Sequence, residues 1–247
     1  MKKTAEFDHS RVRAIIFDVD GTLSDSDDRM VEELYERLKP LRRLLPEERL
    51  RRFSRWVIRS AEGPGNFVLE MADRLNLDHW IAAFFDRRAH ARQPQARHFP
   101  PIPGVAGMLR AITQRYPVAI VTARNDLTTR LFLRLNSLEE FFPIVISSQT
   151  CKKTKPFPDP LLRAAEQMGF PIEQCLMVGD TVTDIRAARA AGAQSLSVLC
   201  GFGTERELRR AGTHAVLNST AQLAEFLDLT PPKSAATAET QSDADIS

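Results

Sequence analysis

The hydrophobic residues of this chain are grouped into short runs separated by segments with helical features. Five runs rich in branched apolar side chains follow one another from residue 117 onward, as in strands buried on both faces of a parallel sheet; they are residues 117–123, 143–148, 175–180, 194–200 and 214–219. Helices fit between them, such as residues 158–169 with Asp159 as N-cap and residues 204–212 with a Thr204–Glu207 capping box. A further run, residues 14–19, lies near the N-terminus. This order predicts an α/β fold, a Rossmann-like doubly wound parallel sheet.

Roughly eighty residues separate the first run from the helix predicted over 103–116, too many for a structureless loop in a compact domain. Their apolar residues recur three and four positions apart, as at Leu50, Phe53 and Val57, which predicts amphipathic helices. We therefore expect a core formed by residues 1–26 and 99–229 and an inserted helical cap over 27–98. Residues 230–247 have almost no large apolar side chains, which predicts a disordered tail.

Composition narrows the range of partners. The 247 residues include 34 basic and 32 acidic side chains and carry a net charge of +2, which gives no reason to expect nucleic acid or an anionic membrane as partner. The N-terminus lacks the apolar region of a signal peptide, and the three cysteines form no zinc or disulfide pattern. We expect a cytoplasmic protein, a monomer or a homodimer.

Polar side chains follow the predicted strands at the edge where open parallel sheets bind their ligands. The first strand ends in Asp18 and Asp20, the second in Thr122, and the fourth in Asp180, with Asp184 four residues later. Lys155 lies after the third strand. These residues are expected to converge on one site.

Their chemical types fit a phosphoryl group and a hard cation. Asp18 and Asp180 would supply oxygen ligands to Mg²⁺, and an ionised carboxylate can attack phosphorus to form an aspartyl-phosphate. Lys155 and Thr122 would stabilise the phosphoryl oxygens. Asp20, two residues beyond Asp18, is placed to protonate a leaving oxygen and then to take a proton from water. Asp184 shares a helix face with Asp180, where it would assist the metal or hold Lys155.

Four segments together resemble the ordered motifs of the haloacid dehalogenase-like (HAD) phosphohydrolases; they are FDVDGTLSDSD, VTAR, KTKPFPDPLL and VGDTVTDIRAARAAG. The resemblance spans roughly residues 12–228 and is greatest to the phosphoglycolate phosphatase and β-phosphoglucomutase-like branch, which has a helical cap. It implies Asp18 as nucleophile, Asp20 as acid/base, and Thr122 and Lys155 as phosphate stabilisers. It also implies a magnesium site formed by Asp18, Asp180 and the main-chain carbonyl of Asp20.

One departure concerns Arg124 and Asn125, which follow Thr122 where many relatives have an asparagine soon after the threonine. Two interpretations of this pair stay open, contact with the substrate or exposure to solvent.

The expected activity is Mg²⁺-dependent hydrolysis of a small phosphorylated metabolite, whose identity the cap sequence does not indicate. A sugar phosphomutase and a non-catalytic phosphate-binding module are the alternatives. A dehalogenase is disfavoured because Asp20 would have no use there.

Overall fold

The computed structural model describes residues 6–25, Lys39 and residues 100–229. The chain divides into two compact units, one formed by residues 1–25 and 100–247 and the other by residues 26–99. The predicted cap, Lys39 apart, and the predicted tail therefore lie outside the described residues. No helix in the described part of the chain has the length and apolar character needed to cross a membrane.

Six strands form a single parallel sheet within the described residues. The strands are β1 (Ala14–Phe17), β2 (Val118–Val121), β3 (Ile144–Ile146), β4 (Cys175–Gly179), β5 (Gln194–Val198) and β6 (Ala215–Leu217). Their order is β3-β2-β1-β4-β5-β6, so β1 lies at the centre and the order reverses on either side of it. The predicted doubly wound parallel sheet is thus confirmed, and its reversal point is where such sheets bind ligands.

Five helices of the described residues connect successive strands, and a sixth follows β6. They are α1 (Val105–Ile112), α2 (Asp126–Leu135), α3 (Asp159–Met168), α4 (Val182–Ala191), α5 (Glu205–Ala211) and α6 (Leu223–Phe226). The Thr204–Glu207 capping box is present at the start of α5. Helix α3 begins one residue earlier than predicted, with Pro158 rather than Asp159 as its N-cap, because Asp159 already has helical geometry.

Two apolar clusters hold the sheet between layers of helices, and β1 contributes to both. Ile15 and Phe17 belong to the cluster that includes α1 and α6, whereas Ala14 and Ile16 belong to the cluster that includes α3 and α4. All four residues of β1 are fully buried. This alternation with a period of two fixes which residues beyond Phe17 turn toward each side of the sheet.

The chain leaves and re-enters the described unit beside the end of β1. The backbone N–H of Asp25 donates to the carbonyl of Pro100 over 2.9 Å, and the N–H of Ile102 donates to the carbonyl of Leu23 over 2.9 Å. The two points where the chain passes out of the described residues therefore lie close together, just beyond the carboxyl end of β1.

Candidate active site

Asp18, Lys155 and Asp184 form a buried charge network at the end of β1. Lys155 Nζ lies 2.9 Å from Asp18 Oδ1 and 2.6 Å from Asp184 Oδ1. The side chains are 5%, 10% and 1% exposed, in the order Lys155, Asp18, Asp184. One ammonium group thus bridges two carboxylates that come from different strand ends.

Burial and neighbouring opposite charges shift the pKa values of this network in opposite directions. Burial raises the pKa of Asp18 to about 7, although Lys155 acts to lower it. Burial alone would lower the pKa of Lys155, but the adjacent Asp18 and Asp184 carboxylates raise it above its ordinary value. Lys155 is therefore held as a cation, and any further positive charge beside Asp18 would favour the ionised form of its carboxyl group.

Asp180 follows β4 directly and is fully buried. Its Oδ1 accepts from the hydroxyl of Thr22 over 3.1 Å, and its Oδ2 accepts from the backbone N–H of Phe202 over 2.8 Å. Gly21 adopts φ of +71°, and a Cβ there would lie 2.8 Å from Asp180 Cγ. The loop after β1 can approach Asp180 this closely because it has a glycine at this point.

Asp184 belongs to the first turn of α4, where it completes a capping box with Thr181. Its Oδ2 accepts from the backbone N–H of Thr181 over 3.0 Å and from the Thr181 hydroxyl over 2.7 Å. Its other oxygen accepts from Lys155. These contacts match the alternative in which Asp184 supports Lys155.

The carboxylates of Asp18, Asp180 and Asp184 are suited to a divalent cation. One ligand atom from each lies within 4.8 Å of the other two, and all three residues are buried. Carboxylate oxygens are hard donors, which is what Mg²⁺ prefers. The donor set therefore fits the metal that the sequence predicts.

Asp20 lies outside this network and is paired with Arg124. Arg124 Nε donates to Asp20 Oδ2 over 2.7 Å, and one terminal guanidinium nitrogen donates to Asp20 Oδ1. The Arg124 side chain is 12% exposed and that of Asp20 is 36% exposed. Of the two interpretations of Arg124, exposure to solvent is therefore wrong.

Thr122 and Asn125 lie on either side of Arg124 in the chain. Thr122 is buried, its backbone N–H donates to the carbonyl of Ile146 over 3.0 Å, and its hydroxyl accepts from the N–H of Arg124 over 3.2 Å. The side chain of Asn125 caps α2 by accepting from the N–H of Thr128 over 2.8 Å. A substrate contact by Asn125 stays a prediction.

Sequence reasoning missed three contributors to the site. Neither Thr22 nor the loop that carries Phe202 was predicted to hold Asp180, and Arg124 was not predicted to bind Asp20. The Gly-Thr pair after Asp20 was the available signal for Thr22. For Arg124 the sequence held no signal, because its partner is 104 positions away.

Comparison with known sequences finds relatives over most of the chain. Residues 15–198 match the family model described as haloacid dehalogenase-like hydrolase. A phosphoglycolate phosphatase of Nitrosococcus oceani is 30% identical over 86% of this chain and 95% of its own length. A phosphoglycolate phosphatase of Xanthomonas campestris is 32% identical over 77% of this chain and 84% of its own length.

Solved structures agree on the fold. A HAD family hydrolase from Deinococcus radiodurans has a TM-score of 0.61 at 24% identity, covering 90% of this chain and 99% of that one. The family model spans most of the chain, and so do relatives at 30% identity and above. The chain therefore belongs to the haloacid dehalogenase-like hydrolase family.

Proposed function

We propose that this protein is a Mg²⁺-dependent phosphatase that hydrolyses a small phosphomonoester through an aspartyl-phosphate on Asp18. As a member of this family with phosphatase relatives, the chain is a phosphoric monoester hydrolase. The observation that carries the finer proposal is the Lys155 bridge between Asp18 and Asp184. It places a buried cation beside a carboxylate that must approach an anionic substrate.

The metal would be held by the Asp18 and Asp180 carboxylates and, as the family resemblance implies, by the Asp20 carbonyl. When bound, Mg²⁺ supplies positive charge that offsets the repulsion between a carboxylate nucleophile and a phosphate. Asp184 is a further acidic group close to both. The positioning role proposed for it is supported by its bonds to Lys155 and Thr181.

The chain's own residues account for the chemical steps. A carboxylate oxygen of Asp18 attacks phosphorus while the bond from phosphorus to the leaving oxygen breaks, and Asp20 gives that oxygen a proton. Water then attacks the phosphorus of the aspartyl-phosphate and gives a proton to Asp20. The bond from phosphorus to Asp18 breaks, and its electron pair returns to the Asp18 carboxylate. Throughout, Lys155 and the Thr122 hydroxyl hold the phosphoryl oxygens.

The substrate class rests on the relatives. Several are named phosphoglycolate phosphatase, which supports a small phosphorylated metabolite of that kind. The helical cap over 27–98, the cytoplasmic location, the monomeric or dimeric state and the absence of nucleic-acid and membrane partners stay predictions.

The test is hydrolysis of p-nitrophenyl phosphate with and without Mg²⁺, followed by a panel of phosphometabolites that includes phosphoglycolate. Asp18→Asn is expected to lose at least about 10³-fold in kcat, since it removes the nucleophile. Asp126→Asn, an exposed aspartate of α2, is the control and should keep wild-type activity. Equal activity in Asp18→Asn would refute the mechanism, and activity that survives chelation of divalent metal would refute the role of Mg²⁺.

The same panel separates the alternatives. Conversion of a sugar 1-phosphate to its isomer without release of phosphate would identify a phosphomutase. Binding of phosphate without turnover of any member would identify a non-catalytic module.

A further inference from the structure

Arg124 holds Asp20 through two parallel hydrogen bonds. Its Nε donates to Oδ2 over 2.7 Å and a terminal nitrogen donates to Oδ1, the bidentate geometry in which a guanidinium fixes the plane of a carboxylate. Asp20 is the proposed acid/base, so this contact determines where the proton-transferring group points.

Arg124 is itself fixed in place. Its guanidinium carbon lies 5.4 Å from the centre of the Phe132 ring, on α2, and its backbone N–H donates to the Thr122 hydroxyl. A terminal nitrogen also lies 3.4 Å from the hydroxyl of Ser24. With only 12% of its side chain exposed, Arg124 forms a rigid support rather than a mobile surface arginine.

The pair and the proposed nucleophile have different basic side chains as partners. Asp18 has Lys155 as its cation, whereas Asp20 has Arg124. Two aspartates two residues apart in the chain are therefore paired with different basic side chains. Both Asp20 oxygens already accept from Arg124, and each keeps a second lone pair for another donor. A water molecule can therefore donate to Asp20 while Arg124 holds the carboxylate in place.

We propose that Arg124 is a positioning residue that aims Asp20 at the water which hydrolyses the aspartyl-phosphate. This inference rests on the proposed function. In the step concerned, water oxygen bonds to phosphorus, its proton passes to Asp20, and the bond from phosphorus to Asp18 breaks with its electron pair returning to the carboxylate. Loss of the Arg124 contact should slow hydrolysis of the aspartyl-phosphate more than its formation.

The experiment measures kcat, KM and the fraction of enzyme that carries a phosphoryl group after rapid acid quench, by intact mass. The substrate is p-nitrophenyl phosphate, whose good leaving group keeps the first step fast. Arg124→Met is expected to lower kcat roughly 10–100-fold and to raise the phosphorylated fraction from a minor to the major species. Arg124→Lys keeps the charge but cannot form the two parallel hydrogen bonds. Its kcat and its phosphorylated fraction should therefore lie between those of Arg124→Met and wild type.

Arg130→Met is the matched control, since Arg130, on α2, is also paired with an aspartate but is 49% exposed. It should behave as wild type. Asp20→Asn, which removes the acceptor, should also accumulate phosphoryl-enzyme.

A fall in kcat without accumulation in Arg124→Met and Arg124→Lys would overturn the inference and indicate a structural role. A rise in KM with kcat preserved would overturn it in favour of substrate contact. Absence of phosphoryl-enzyme in wild type and in Asp20→Asn alike would overturn the proposed function itself.

Discussion

The buried contact between Asp184 and Lys155 allows a quantitative prediction for Asp184→Asn. The substitution keeps the shape of the side chain and an acceptor for Thr181 but removes the charge that faces Lys155 over 2.6 Å. A hydrogen bond to a charged group contributes about 1.5–3 kcal/mol, and breaking a buried ion pair costs about 3–5 kcal/mol. Lys155 keeps Asp18 as a second partner, so we expect a loss of about 2–3 kcal/mol in the free energy of unfolding.

Urea unfolding without divalent metal measures this loss, with alkylation of Cys175 as the probe of the core. Cys175 is fully buried in β4, and burial raises its thiol pKa to about 11, so it reacts only when the sheet opens. With a urea dependence of about 2–3 kcal/mol per M, the midpoint should fall by about 1 M.

Asp126→Asn is the control for this measurement. Asp126 is also an aspartate in a first helical turn paired with a basic residue, but it is 44% exposed, and its loss should cost less than about 1 kcal/mol. Equal effects of the two substitutions would refute the claim that burial gives the Asp184 contact its strength.

Three further predictions concern the loop after β1, the metal and the far edge of the sheet. Gly21→Ala should destabilise the core by about 1–3 kcal/mol, because Gly21 has a positive φ and lies close to Asp180. Gly107→Ala should instead stabilise the core by up to about 1 kcal/mol, because a Cβ at this position of α1 meets open space. Urea midpoints that shift in the same direction in both variants would contradict this. Mg²⁺ should raise the Tm of the wild type but not that of Asp180→Asn, and an equal rise would exclude Asp180 as a ligand. Burial lowers the pKa of His214 below its ordinary value of 6.5, and Nδ1 of His214 accepts from the backbone N–H of Ser195. The contribution of His214 to the free energy of unfolding is therefore complete above pH 6.5 and declines as the pH falls below that value. Between about pH 7.5 and about pH 5.5 the wild type should therefore lose more stability than His214→Gln, and parallel losses would contradict this sign.

The sheet could be predicted from sequence because strands buried on both faces are continuous apolar runs. The predicted runs extend beyond the strands at their carboxyl ends, as for residues 14–19 against Ala14–Phe17. The reason is chemical: Asp18 still donates its backbone N–H to Val178, but its side chain and those that follow turn to the site. Apolar patterning thus predicts where a strand runs more accurately than where it ends.

Strand order and register account for what the sequence could not predict about the site. Phe17 pairs with Ile120 in the sheet, so Asp20 and Arg124 lie three and four residues beyond paired positions on adjacent strands. Their contact follows from that register, which no local pattern encodes. Motif spacing instead suggested that Asp18 and Asp20 form one unit, since both follow the same strand. The register gives them different partners. Asp18 pairs with Lys155, which follows β3, and Asp20 pairs with Arg124, which follows β2. Asp18 and Asp20 can serve the two different roles proposed for them, although they are two residues apart, because each is paired with a different basic side chain.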